Sequence, residues 1–229
     1  SDFQIDRKEY RHYQEVCELD THNPLSILYP QVIVSPLQLA LLSDKLFPLS
    51  MLGAVHRHNR IIQNNNIDLA DTLDLCVTMF EYRVLAKGIE IELLSEVRVQ
   101  DRLVWRSLST FYVRGDFALA EHQAQMPQGM DDLNSLSKQE PEKWYLHPDR
   151  GWRFARITRD YNPIHISNLA AKAFGFDRDL AHGFFVLARC LEAAQGAETK
   201  AIYDYLAVTE RSVELMVEFR GPNYFDKAM

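Results

Sequence analysis

The 229 residues carry 32 acidic against 25 basic side chains, a formal net charge of −7, with 47% hydrophobic and 25% charged residues. That is the composition of a globular chain, one large domain or two compact ones, and it excludes disorder throughout. No apolar run approaches the roughly 20 residues of a membrane-crossing helix, and the acidic balance argues against nucleic acid, which needs a basic face to displace counterions.

The N-terminus, Ser1 to Asp6, has no basic stretch followed by an apolar one, so no signal peptide is visible. Cys17, Cys76 and Cys190 are few, odd in number and far apart. They suggest no disulfide framework, and a reducing, cytoplasmic compartment is expected. After the turn signal Asn23-Pro24, Ser35-Pro36 reads as a helix cap with proline at the first helical position. Leu37, Leu41 and Leu42 then keep helical spacing, and Phe47-Pro48 should end that helix. Asp74–Tyr82, Ile89–Val99 and Leu103–Val113 are rich in branched and aromatic residues, with Gly88 and Gln100-Asp101 at the intervening turns. Connections this short join antiparallel strands.

The polar stretch Met126 to Glu142 is broken by Pro and Gly and has no apolar period. It divides the chain into a first half over 1–125, a linker over 126–144 and a second half over 145–229. The second half repeats the order of helix then strand. A short helix, Ser167–Phe174, should stop at Gly175. A longer one starts around His182-Gly183 and lines up Phe184, Leu187, Ala188, Leu191 and Ala194 on one face. Arg211–Arg220 alternates apolar with polar residues, as a strand with one buried face does. The result is an α+β layer architecture, with an antiparallel sheet packed on a helix in each half. With 85 residues and one long strand, the second half is expected to lack C-terminal sequence.

The chemistry concentrates in Phe154 to His165. Asp160 and His165 are five apart. On an unbroken helix they would point roughly 140° from one another, but Asn162-Pro163 turns the chain between them and lets them converge. A carboxylate and an imidazole sharing a water form a general acid/base pair. The same string also suits a turn residue, a helix start and a packed histidine. Downstream, Ala181-His182-Gly183 heads an apolar helix. Free N–H groups and positive dipole potential gather at such a terminus, and the Gly183 amide could bind a carbonyl oxygen gaining negative charge. The plainer reading makes Gly183 a close-packing residue and His182 a supporting one. His56-Arg57-His58 has no third ligand nearby, so no metal and no cofactor are expected.

Phe154-Ala155-x-x-Thr158-x-Asp160-x-Asn162-Pro163-Ile164-His165 followed by Ala181-His182-Gly183 resembles the hydratase motif of MaoC-like (R)-specific enoyl-CoA hydratases and acyl dehydratases. The first half resembles, more loosely, the motif-less N-terminal hotdog of the double-hotdog members, through Phe47-Pro48-Leu49 and Leu52 to His56. The resemblance implies a double hotdog, with antiparallel sheets each wrapping a central helix. It implies hydration of trans-2-enoyl thioesters to (R)-3-hydroxyacyl thioesters, or the reverse dehydration, on a CoA or acyl-carrier-protein thioester. Asp160 and His165 would activate the water, and Gly183 would polarise the thioester carbonyl. Asn162, Pro163, Thr158 and His182 would support them. Arg159, Lys172 and Arg178 are candidates for the substrate's phosphates, and a homodimer without membrane or nucleic-acid partners is expected. One departure stands beside the acid: the family usually has Ser-Gly where this chain has Thr158-Arg159. A hotdog thioesterase and a non-catalytic acyl-binding scaffold remain the alternatives, since fold does not fix function.

Overall fold

The computed structural model describes residues 2–21, 25–117, 145–193 and 212–225. Five α-helices and six strands are described, in the order β1 (Phe3–Gln4), α1 (Arg7–Cys17), α2 (Tyr29–Leu42), β2 (Val55–Gln63), β3 (Thr72–Leu85), β4 (Gly88–Val99), β5 (Arg102–Arg114), α3 (Arg150–Thr158), α4 (Asn168–Ala173), α5 (Gly183–Ala193) and β6 (Val213–Glu218). The strands form one six-stranded sheet in the order β1-β3-β4-β5-β2-β6, and every pairing is antiparallel. The three strands expected in the first half are all present, with every end within three residues of the one expected. Gln100 and Asp101 both adopt positive φ, 49° and 63°, as a two-residue hairpin turn matched to strand twist requires.

The first-half helix differs from expectation. It starts at Tyr29, not at Pro36, with Pro30 in its first turn and Pro36 inside it. Pro36 offers no N–H to the carbonyl one turn back, but burial of Val32, Ile33 and Val34 secures the helix around it. It ends at Leu42 with Ser43 as its cap, ahead of Phe47-Pro48. Two further helices were not expected. In α1, Asp6 caps Lys8 N–H at 2.7 Å, and Tyr10, Tyr13, Val16 and Cys17 are buried beneath a charged outer face. In α3, Phe154 and Ala155 are buried among arginines. Strand β2 was also missed. The three cysteines are free, Cys17 buried and the other two exposed.

One buried cluster unites both halves. Tyr13, Val34, Leu73 and Trp105 from the first half share it with Phe154, Phe185 and Phe225 from the second. Strand β2 is the seam. It pairs with β5 on one edge and with β6 on the other, matching Ile61 to Leu215 and Gln63 to Val213. The described strands thus form a single sheet, not one sheet per half. The short helix α4 is capped by Ser167 and followed by Gly175 at φ 88°, as expected. Helix α5 begins at Gly183. Its buried face takes in Phe185 and Val186 besides Phe184 and Ala188, while Ala194 and the linker fall outside the described residues.

Candidate active site

Helix α3 ends at Thr158, and Arg159 follows in the left-handed region at φ 60°. That twist throws the chain out of the helix and starts the Asp160 loop. The Thr158 hydroxyl donates to Phe154 O at 3.1 Å and accepts the Asp160 N–H at 3.3 Å. The Asp160 carboxylate accepts the Asn162 N–H at 3.1 Å. Asn162 caps a 3-10 turn, Pro163–His165, taking the Ile164 N–H on its side-chain oxygen. Its side-chain amide reaches across to the first half and donates to Ala54 O at 3.2 Å. Pro163, at the first position of the turn, gives up no hydrogen bond there.

His165 Nδ1 lies 2.8 Å from Leu180 O. A carbonyl only accepts, so Nδ1 carries the proton and Nε2 is left as a free base. His182 Nε2 likewise donates to the main-chain oxygen of Asp160 at 3.1 Å. The two imidazoles stack, with centroids 3.9 Å apart and planes 27° from parallel. Burial pushes the His165 pKa below the ordinary histidine value, against the opposing pull of the Asp160 charge and the Leu180 carbonyl. Burial and the neighbouring His165 ring push His182 down further. Both rings are neutral at pH 7.

Asp160, His165 and His182 each offer one donor atom, all within 4.8 Å of one another. The donor types would suit a divalent ion. His165 Nδ1 and His182 Nε2 already face main-chain carbonyls, which leaves one ring nitrogen on each histidine for a water or an ion.

These groups open into a cavity of about 1100 Å³ lined by both halves. Gly183 lines it, and as the first residue of α5 its N–H has no carbonyl one turn back to bind. A Cβ at Gly183 would lie 2.8 Å from the Phe219 ring, so the close-packing reading of this glycine holds as well. Arg159 is exposed and lines the cavity. Lys172, exposed on α4, and Arg178, paired with Asp179 at 3.2 Å, are not among the lining residues. The structure therefore separates the three candidate cations.

Sequence reasoning missed the opposite wall. Helix α2 turns Gln31, Ser35, Gln38, Leu39 and Leu42 to the cavity, a spacing that repeats every third or fourth residue. Behind it Gln31, Gln38, Ser107 and Ser109 bond one another in a buried cluster. His56 lines the cavity and stacks on Phe111 at 4.6 Å, and burial pushes its pKa down to about 4. The helical period of α2 was a readable signal, but the Ser-Pro start placed it about two turns late.

Residues 134–222 match the family of the MaoC like domain. The chain is similar to that family over this stretch. It is 29% identical over 187 residues to 3-hydroxyacyl-thioester dehydratase X of Mycobacterium tuberculosis, covering 82% of this chain and 65% of that protein. The chain thus spans just under two thirds of that curated relative. The crystal structure of HtdX from the same organism has a TM-score of 0.78 at 24% identity, over 100% of this chain and 84% of that one. A conserved M. tuberculosis protein described as a double hotdog has a TM-score of 0.59 at 12% identity, over 100% and 79% of the two chains. The fold of this chain is an α+β hotdog that matches double-hotdog structures.

Proposed function

We propose that this protein adds water to trans-2-enoyl thioesters to give (R)-3-hydroxyacyl thioesters, or runs the reverse dehydration. The observation that carries the reading is the meeting of Asp160 and a neutral His165 in a shared cavity with the N-terminus of α5. In the hydration direction, the water oxygen bonds to Cβ while the Asp160–His165 pair takes one of its protons. The thioester carbonyl gains enolate-like charge opposite the Gly183 N–H. A proton from the pair then returns to Cα, so H and OH have added across the double bond and the pair is restored. Asn162 and Thr158 hold the Asp160 loop through the bonds described above. Arg159, beside the acid and lining the cavity together with Arg57 and Arg220, would meet a phosphate of the carrier. The likeness to 3-hydroxyacyl-thioester dehydratase X supports this class of reaction.

The test offers enoyl-CoAs of several chain lengths and follows the conjugated double bond and free thiol together. Hydration removes the conjugated bond without releasing thiol. Asp160→Asn and His165→Ala each lower kcat on the order of 100- to 10,000-fold, the range for losing a general acid or base. Thiol release would replace this reading with a thioesterase, and binding without either change would replace it with an acyl-binding scaffold.

A further inference from the structure

His182 holds an atom that the mechanism above does not use. Its Nε2–H is committed to Asp160 O, so Nδ1 is a bare lone pair. That nitrogen is buried, the residue being 4% exposed, and has no hydrogen-bond partner. A buried acceptor without a donor is costly unless a water or a ligand completes it. His182 also lines the cavity. Burial keeps its ring neutral, so Nδ1 remains an acceptor at working pH.

One ring nitrogen of each histidine and one carboxylate oxygen of Asp160 lie within 4.8 Å of one another, and Nδ1 is the His182 nitrogen with no hydrogen-bond partner. Groups this close can share one water, whose hydrogen bonds are about 2.8 Å long. A water has two hydrogens, and in hydration only one of them leaves. We propose that His182 is a third ligand of the reacting water, accepting on Nδ1 the hydrogen that stays behind as the 3-hydroxyl hydrogen. With one hydrogen given to the Asp160–His165 pair and the other pinned by His182, a lone pair is left to face Cβ. In dehydration the same nitrogen holds the substrate's 3-hydroxyl while its C–O bond breaks. His182 touches the reacting oxygen and moves no proton. This inference rests on the water-adding reading of the site.

Two arms test it, the first without turnover. A high-resolution crystal structure of the chain should show a water within hydrogen-bonding distance of His182 as well as Asp160 and His165. Nitrogen-15 spectra should show His182 protonated on Nε2 alone. A protein donor on Nδ1, no water there, or an Nδ1–H tautomer overturns the proposal. The second arm separates the two ring nitrogens. Glutamine places its amide where Nε2 was, and asparagine places its own where Nδ1 was. His182→Gln should keep the bond to Asp160 O and a KM within a few-fold of wild type, yet lose kcat on the order of 10- to 100-fold. His182→Asn should recover part of that loss. Wild-type kcat in His182→Gln, or a lower kcat in His182→Asn than in His182→Gln, makes His182 a purely structural residue and overturns the proposal. If the wild type turns over no enoyl thioester, the reaction reading fails, while the water and the tautomer still decide the role of His182.

Discussion

Arg159 occupies a backbone conformation made for glycine. Its φ of 60° closes α3, and a side chain in that region is strained by roughly 1–2 kcal/mol. The family's glycine one place before the acid therefore has a conformational reason, and arginine here needs an offsetting one. Exposed at the cavity, it adds a positive charge to an otherwise acidic protein beside the place where a carrier phosphate would enter. Arg159→Gly should act in two directions. Stability should rise by about 1 kcal/mol, a gain of roughly 2–4 °C in Tm for a chain of this size, while KM for CoA thioesters rises several-fold. Melting curves and kinetics at two salt concentrations check both, because an ionic contact weakens with salt. A lower Tm would mean that the arginine carries structural bonds of its own. His165 sets a second expectation at this scale. Its pKa is lowered in the folded protein, so it stays an unprotonated base below the usual histidine value of about 6.5. Activity should then persist as pH falls through 6.5 and be lost only lower down. A pH profile of kcat/KM measures this, and an acid limb above 6.5 would assign the base elsewhere.

At the scale of elements, α3 lies directly against the turn that carries His165. A Cβ at Gly151 would come within 2.4 Å of the His165 carbonyl oxygen and 3.1 Å of the Phe225 ring. Helix propensity alone predicts that Gly151→Ala stabilises a helix by about 1 kcal/mol. The contact predicts the opposite sign: a lower Tm, and kcat down on the order of 10- to 100-fold as His165 is displaced. Thermal melts and steady-state kinetics decide between the two, and a raised Tm with normal kcat would refute the contact. The same helix shows where sequence reading stops. Asp160, Asn162 and His165 were legible because a turn between polar residues leaves a compact local string. The strands β3 to β5 were legible from their branched residues and short turns. Helix α3 was not, because Arg150, Arg153 and Arg156 dominate its pattern and its buried side is only Gly151, Phe154, Ala155 and Thr158. Helix α1 hid in the same way behind its charged face. Strand β2 was obscured by His56, Arg57, His58, Asn59 and Arg60, polar residues on a strand paired along both edges. Asn59 is buried there and His56 and His58 half-buried, by the cavity and by the sheet, which no local pattern announces.

At the scale of the whole molecule, the motif of the second half lies in a cavity lined about equally by both halves. The Asn162 bond to Ala54 O ties the Asp160–His165 turn to the entry of β2, and β2 in turn takes β6 as its neighbour. The cavity runs from Asp160 to the face of α2, where Leu39 and Leu42 continue into Leu49 and Met51. If the acyl chain lies along that wall, each methylene it buries contributes about 0.8 kcal/mol, close to a fourfold gain in kcat/KM, until the space is filled. Leu39→Trp shortens the space without touching Asp160, His165 or Gly183. Short enoyl thioesters should then react at nearly the wild-type rate, while the gain per methylene should end a few carbons earlier. A series of enoyl-CoAs graded in length measures this directly. A uniform loss at every length would mean that the tryptophan disturbs the catalytic turn through α2. An unchanged length profile would mean that the chain leaves the site by another route, and the first half would then hold the motif in place without selecting the substrate.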